Sequence, residues 1–161
     1  MSYILSIETA TKSCSIALAK EGQLIDCFEE VSEKYSHSEQ LTVFIQDMLA
    51  KHHLSTKDLE AIAISSGPGS YTGLRIGVST AKGLCYALDI PLISISTLEA
   101  MAQLMVEDYH DFIFCPMIDA RRMEVYCAFF GKQQSPVSAK VIDADSFAKQ
   151  LEQSKILFFG D

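Results

Sequence analysis

The sequence lacks any apolar run as long as a membrane-spanning helix. Its first residues, Met1-Ser2-Tyr3-Ile4-Leu5, contain neither a basic region nor a small-residue cleavage site of the kind that marks a secretory signal. These absences argue against membrane-spanning and secreted proteins. We therefore expect a cytoplasmic protein with no membrane partner.

Cysteine is scarce and irregularly spaced, with five residues at Cys14, Cys27, Cys85, Cys115 and Cys127. The number is odd, the residues are widely separated, and most of them have apolar neighbours. Metal sites and disulfide frameworks need close or regular spacing, so this pattern predicts buried thiols in a reducing compartment.

Basic residues are outnumbered, with 13 lysines and arginines against 21 aspartates and glutamates and a formal net charge of −8. The acidic excess lies almost wholly in residues 1–110. Because such a surface repels a phosphate backbone, we expect no direct binding of RNA of any kind by this chain alone. The charge could equally serve only solubility.

Patterns typical of catalytic centres are also missing. The four histidines, His37, His52, His53 and His110, form no H-x-x-x-H pair for a metal, and no G-x-S-x-G nucleophile turn occurs. His37 lies close to Glu39, but just before a predicted helix, where local capping explains the pair. The sequence therefore predicts no catalytic residue, no metal ligand and no cofactor-binding residue.

The chain does contain a glycine-rich turn between a predicted strand and a predicted helix, within Ser65–Gly77. The turn residues proper are Gly67, Pro68, Gly69, Ser70, Tyr71 and Thr72. Gly67 and Gly69 can adopt positive φ or admit a ligand close to the backbone, and Thr72 is a candidate N-cap. A helix N-terminus after such a turn can bind an anion.

Two known phosphate loops do not match this turn. Gly73 is followed by Leu74-Arg75 rather than by the lysine of a Walker loop, and it comes one residue too late for G-x-G-x-x-G. The glycines could instead serve only to shape a tight turn. Anion binding and a purely structural turn stay open as alternatives.

Alternating and helical periodicities predict the order β-β-β-α-β-α-β-α for residues 1–108, a mixed five-stranded sheet with helices packed on it. The predicted elements are Tyr3–Ile7, Cys14–Ala19, Gln23–Glu30, Ser38–His52, Asp58–Ser65, Thr72–Leu88, Leu92–Ser96 and Thr97–Val106. The first three strands are predicted to form an antiparallel meander, with Lys20-Glu21-Gly22 as the turn between the second and the third. The apolar face predicted for the helix Ser38–His52 consists of Leu41, Phe44, Ile45, Met48 and Leu49.

A second α/β domain is expected over 109–161. Its predicted elements are strands Phe112–Ile118 and Glu124–Gly131 around a turn at Asp119–Arg122, a strand near Ala139–Ile142, a helix Asp143–Gln153 and a strand Ile156–Phe159. Because the chain stops just after a strand, we expect this domain to be truncated.

The helix Thr72–Leu88 is predicted to present a surface to a partner. Only Arg75, Ser79, Lys82 and Tyr86 form a polar stripe, and the small residues leave a shallow groove that another helix could enter. The residues assigned to this partner interface are Gly73, Leu74, Gly77, Val78, Ala81, Lys82 and Cys85. Alternatively, the helix Ser38–His52 fills the groove within the same chain.

Several stretches together resemble the bacterial TsaB family, also called YeaZ, over nearly the whole chain. They are Ile7-Glu8-Thr9-Ala10-Thr11, Ser15-Ile16-Ala17-Leu18, His37-Ser38-Glu39, Ser66 through Gly77, Ile118-Asp119-Ala120-Arg121-Arg122 and Glu124-Val125-Tyr126. The resemblance implies the actin-like ATPase (ribonuclease H-like) fold of the actin, hexokinase and sugar-kinase superfamily.

The resemblance also implies a non-catalytic role in the threonylcarbamoyl modification of adenosine beside the tRNA anticodon. The implied partners are a TsaD-like catalytic paralogue and a TsaE-like ATPase, with a possible homodimer when the chain is isolated. ATP-using members of the superfamily hold phosphate in a glycine-containing turn after the first strand, whereas Glu8–Ser13 has no glycine. The competing hypothesis is a small kinase or transferase that binds ATP at Glu8–Ser13 and Gly67–Gly73.

Overall fold

The computed structural model describes residues 2–31, 37–106, 108–132 and 134–160. The chain divides into two compact units, Met1–Ile95 and Ser96–Asp161. Among the described residues, no helix combines the length and the apolar character that crossing a membrane requires.

The described part of the first unit contains a five-stranded sheet in the order β3-β2-β1-β4-β5. The first three strands form an antiparallel meander, and β4 and β5 continue the sheet in parallel with β1. This confirms the predicted mixed sheet. The strands are β1 Tyr3–Glu8, β2 Ser13–Lys20, β3 Gln23–Val31, β4 Leu59–Ser65 and β5 Leu92–Ile95.

The hairpin between β2 and β3 has a tight turn whose geometry fits the twist of the two strands. Lys20 pairs with Gln23, which leaves Glu21 and Gly22 as a two-residue loop with φ values of 52° and 81°. Two consecutive left-handed residues give a turn whose twist matches that of the flanking strands. The predicted turn at Lys20–Gly22 is therefore confirmed.

Two helices, α1 His37–Lys51 and α2 Tyr71–Leu88, pack on the sheet of the first unit. The predicted apolar face of α1 is confirmed, because Leu41, Ile45, Met48 and Leu49 are buried and Phe44 stacks edge-on against Phe28. Residues 32–36 and the side chains of residues 37–39, with the predicted capping pair His37 and Glu39, lie outside the described part of the chain.

Buried and half-buried residues alternate along the strands, and the buried ones form the core of the first unit. Leu5 and Ile7 of β1 and Cys14, Ile16 and Leu18 of β2 are buried, and the residues between them are half-buried. Burying one such aliphatic side chain stabilises a fold by about 1.5–3 kcal/mol. In β4 every residue except Glu60 is buried, which is typical of a central parallel strand.

The second unit has its own sheet, which over the described residues runs β8-β7-β6-β9. Strand β6 extends through the predicted turn Asp119–Arg122 as far as Arg121. Helix α4 begins at Ala148 rather than at Asp143, because the Ser146 hydroxyl accepts the Asp143 amide and the Asp143 carboxylate accepts the Asp145 amide, which holds the preceding residues in a turn. The elements are α3 Thr97–Gln103, β6 Ile113–Arg121, β7 Glu124–Cys127, β8 Ser138–Val141, α4 Ala148–Gln153 and β9 Ile156–Gly160.

Helix α3 lies on the other side of the domain boundary from its predicted place. The sequence assigns it to a domain that ends at residue 108, whereas the structure groups it with the second unit, which begins at Ser96. The reason is packing, since Leu98 of α3 is fully buried in one cluster with Ile118 of β6 and Ala128. Helical periodicity marks the helix but does not show which sheet it covers.

The cysteines are free, and four of them are buried, whereas Cys27 is exposed. Burial is the main cause that raises the pKa of the Cys115 thiol to about 12, and the neighbouring Cys127 adds to it. A thiol with so high a pKa is protonated at neutral pH and unreactive. The predicted buried thiols are thus present at four of the five positions.

An ion-pair cluster joins the edge strand β3 to α1. The Asp26 carboxylate lies 2.6 Å from the Lys51 amine and 2.7 Å from Nε2 of His52, and these two groups hold the Asp26 pKa at about 2. A carboxyl whose pKa is lower in the folded state stabilises that state above its unfolded pKa. The contribution is lost as the pH falls through the folded value.

We predict that Asp26→Asn lowers the Tm between pH 5 and pH 7, because the variant cannot pair with Lys51 and His52. The difference from the wild type should shrink as the pH falls from about 4 towards about 2, where the wild-type carboxyl also becomes protonated. Thermal unfolding by circular dichroism across this pH series measures it. Asp47→Asn, on the exposed face of α1, is the control. A Tm difference between Asp26→Asn and the wild type that stays constant down to pH 2 would contradict the low pKa assigned to Asp26.

Candidate functional site

The glycine-rich turn lies beside the turn that follows β1. Strands β1 and β4 are parallel neighbours, with Ile7 opposite Ile64, so the segments after them leave the sheet at the same edge. Ligands of open α/β sheets bind at this carboxyl edge. The structure therefore brings together the two stretches, Glu8–Ser13 and Gly67–Gly73, that the sequence singles out separately.

Two hydrogen bonds dock the first turn on the second. The Ser70 amide donates to the Ala10 carbonyl over 2.6 Å, and the Thr9 hydroxyl donates to the Gly73 carbonyl over 2.9 Å. Thr9 is completely buried. Since a buried hydroxyl is costly without a partner, the bond to Gly73 both satisfies Thr9 and ties the turn to α2.

The carboxylate of Glu8 is held within the same structure. One oxygen accepts the Ala10 amide at 2.5 Å, and the other accepts the Ser65 hydroxyl. Ser65 is itself buried at the end of β4. Glu8 is thus a structural acceptor between two strand ends. Over the described ranges, no three His, Cys, Asp or Glu side chains gather as candidate metal ligands.

The glycines of the motif allow the chain to approach itself closely. A Cβ atom on Gly69 would lie 2.7 Å from the Ala10 Cβ, and one on Gly77 would lie 3.1 Å from Ile64 Cδ1 and collide with the Thr9 hydroxyl. Gly67 has φ +107°, which disfavours any other residue, and its peptide bond to Pro68 is cis. The space beside Gly69 and Gly77 is filled by Ala10 and Thr9 of the turn after β1 and by Ile64 of β4.

Helix α2 begins one residue earlier than predicted and has a different N-cap residue. Ser70, not Thr72, is the N-cap, because its hydroxyl accepts the Gly73 amide at 3.3 Å. Thr72 lies exposed in the first turn, next to Tyr71, which is also exposed. Both hydroxyl residues are acceptable caps, so the sequence alone could not choose between them.

The predicted interface residues fall on different sides of α2. Gly73, Gly77, Ala81 and Cys85 form its buried row. Thr9 and Ile64 of the same chain lie against Gly77, and Ala81 and Cys85 belong to the core cluster that also contains Leu41, Ile45, Met48 and Leu49 of α1. Leu74 and Val78 are half-buried, and Val78 packs against the core. Of the seven residues, Lys82 is the one that is exposed.

The predicted polar stripe does face outward. Arg75, Ser79, Lys82 and Tyr86 are all exposed, and Tyr86 is 92% exposed. The Arg75 guanidinium lies 5.4 Å from the centre of the Tyr71 ring, a cation–π geometry that holds both side chains at the start of the helix. The outer face of α2 thus combines two exposed tyrosines with two cations.

The sheet order and the pair of strand-end turns define the class of this protein, which is an α/β protein of the actin-like ATPase fold. A model of the family described as "TsaD: tRNA N6-adenosine threonylcarbamoyltransferase" matches residues 30–156. The solved structure of YeaZ from Pseudomonas aeruginosa superposes with a TM-score of 0.77 at 30% identity, covering 91% of this chain and 69% of that one.

Two curated relatives are named tRNA threonylcarbamoyladenosine biosynthesis protein TsaB. The protein of Bacillus subtilis is 34% identical over 98% of this chain and 70% of its own length. The Escherichia coli protein is 37% identical over 83% of this chain. The chain belongs to the TsaB (YeaZ) family, and its match spans 57% of the length of the Escherichia coli relative.

We predict that Gly77→Ala lowers the free energy of unfolding by about 1–3 kcal/mol, because the added methyl group displaces Thr9 or Ile64 in a close-packed contact. Gly83→Ala, in the same helix, is the matched control. A Cβ there meets nothing within 4 Å, so it should stabilise the helix by about 0.5–1 kcal/mol.

Urea unfolding followed by circular dichroism measures both variants. Equal stabilities for the two would contradict the close approach of α2 to the turn after β1.

Proposed function

We propose that this chain is a non-catalytic, cytoplasmic subunit in the threonylcarbamoyl modification of adenosine beside the tRNA anticodon. It acts by pairing with a TsaD-like catalytic paralogue, and a TsaE-like ATPase joins that pair. Membership of the TsaB family supports the pathway, since the relatives named above carry the name of this modification.

The observation that supports a non-catalytic role best is the closure of the two strand-end turns on each other. In this fold a nucleotide would place its phosphates at the carboxyl edge, close to Glu8 and the glycine-rich turn. Here one amide and two hydroxyls at that edge bond to the chain itself, from Ser70 to Ala10, from Thr9 to Gly73 and from Ser65 to Glu8. A phosphate would have to displace these bonds.

The outer face of α2 is the proposed pairing surface. Tyrosine and arginine are enriched at the centres of protein interfaces, where large side chains remove much apolar area from water. Tyr71, Arg75 and Tyr86 are such residues, with Lys82 among them and the half-buried Leu74 and Val78 on the flank. The same surface could support a homodimer of the isolated chain.

We predict that the chain does not bind ATP with magnesium in isothermal calorimetry, with any affinity weaker than a Kd of about 1 mM. The physical reason is that binding would break the hydrogen bonds between the two turns without replacing them. The TsaE-like ATPase, titrated in the same buffer, is the positive control. Saturable binding in the micromolar range would instead favour the small kinase or transferase.

We predict that Lys82→Glu combined with Tyr86→Ala weakens binding to the TsaD-like paralogue by about tenfold or more, since it removes a large exposed ring and reverses a charge on one face. Both side chains are exposed, so the circular dichroism spectrum should not change. Calorimetric titration measures the affinity.

Lys57→Glu, an exposed residue just before β4, makes the same change of charge away from α2 and serves as the control. Unchanged affinity of the α2 variant would place the pairing surface elsewhere. Absence of binding by the wild-type chain would contradict the pairing itself.

A further inference from the structure

The hairpin tip between β6 and β7 has an unusual backbone. Arg121, Arg122 and Met123 have φ values of 68°, 55° and 64°, three consecutive residues in the left-handed region. Side chains other than those of Gly, Asn and Asp seldom adopt this conformation, because the Cβ atom approaches the backbone carbonyl oxygen. Glycine or asparagine would form the same turn with less strain. We call Arg121–Met123 the hairpin tip.

The surrounding structure holds the tip in this conformation from both sides. The Asp119 carboxylate accepts the Arg121 amide at 2.7 Å. On the other side, the Ile142 amide donates to the Met123 carbonyl over 2.9 Å, next to the pairing of Glu124 with Val141. The tip is therefore a fixed element with a defined direction, and the strain persists because its neighbours impose it.

The side chains of the hairpin tip are exposed to solvent. All three residues are exposed, and Met123 is 74% exposed. Across the described residues, neither guanidinium takes part in an ion pair. Two arginines and a methionine thus stand where the backbone favours glycine, and within the described part of the chain no ion pair accounts for the two arginines.

We propose that the hairpin tip is a docking element for a protein surface, in which Met123 enters an apolar pocket and Arg121 and Arg122 pair with carboxylates around it. The partner surface belongs to the TsaD-like paralogue, so this inference rests on the proposed function. It adds a contact from the second unit that is independent of α2.

The charges around the tip favour a protein partner over RNA. Asp119 and Glu124 flank the two arginines, so the tip carries balanced charge over a few residues. The closely spaced phosphates of an RNA backbone would be repelled by Asp119 and Glu124. A protein partner can instead place a few carboxylates next to the arginines and away from these two residues. Arginine and methionine are also both enriched in protein interfaces, and the planar guanidinium pairs with carboxylate in a bidentate way.

The test is the double variant Arg121→Asn with Arg122→Asn, in which asparagine accepts the left-handed backbone and removes both cations. We expect its Tm to rise by about 2–4 °C as strain is released. Its affinity for the TsaD-like paralogue, measured by calorimetry, should fall by about tenfold or more. The wild-type affinity should also weaken with added salt more steeply than that of the variant.

Two controls separate charge from position. Lys149→Gln with Lys155→Gln removes two exposed cations from the same unit and should leave the affinity unchanged. Met123→Asn should weaken binding while the charge is kept. A tip variant that is more stable yet binds the paralogue as the wild type does would overturn the docking role, and a Tm at or below the wild-type value would contradict the strain.

Two further outcomes count against the inference in distinguishable ways. Filter binding with total tRNA is the second readout, and a loss of RNA retention with unchanged paralogue affinity would identify the tip as an RNA contact instead. A wild-type chain that does not bind the paralogue would contradict the proposed function and this contact together. A wild-type chain that binds, with a tip variant that binds equally well, contradicts this contact alone.

Discussion

The first unit depends on the close approach of two backbones, where the turn after β1 lies against the start of α2. The approach requires a residue without a side chain at Gly69 and at Gly77, because any Cβ there would collide with Ala10, Thr9 or Ile64. In return the buried hydroxyl of Thr9 finds an acceptor in Gly73, and Ala10 accepts Ser70. The sheet edge, the helix start and the glycine-rich turn are thus one structure.

This contact also decides what the carboxyl edge of the sheet can do. In this fold the same edge is suited to phosphate, because turns with free amides and a helix N-terminus meet there. In this chain the Ser70 amide and the hydroxyls of Thr9 and Ser65 at that edge bond to the chain itself. An edge whose polar groups bond to each other stabilises the unit, and the same bonds oppose a phosphate at that place. The proposed non-catalytic role follows from this competition between internal hydrogen bonds and a ligand.

In the proposed role, exposed side chains on the outer surface, rather than the carboxyl edge of the sheet, contact the partner protein. The two faces of α2 illustrate the division, because its small residues lie inward against β4 while its tyrosines and cations lie outward. The hairpin tip of the second unit also exposes large side chains, and over the described residues its two guanidinium groups form no ion pair. Both features are consistent with a protein that works through contacts with other proteins.

Features that depend on local periodicity and turn chemistry could be predicted from the amino-acid sequence. The antiparallel meander, the two-residue loop at Glu21-Gly22, the apolar face of α1 and the outward stripe of α2 all follow from spacing within one element. The element against which each helix or strand packs depends on long-range contacts, which local patterns do not encode. The row from Gly73 to Cys85 was equally suited to a partner helix, to α1 or to the sheet, and α3 to either unit.

The same distinction applies to the candidate site. The sequence marks Glu8–Ser13 and Gly67–Gly73 as unusual, but it does not show that Thr9 bonds to Gly73 or that Ser65 bonds to Glu8. Those pairs are far apart along the chain, and no local preference encodes them. The choice between an anion site and a closed turn depends on which acceptor lies nearest each donor in space, and that is a property of the folded sheet edge.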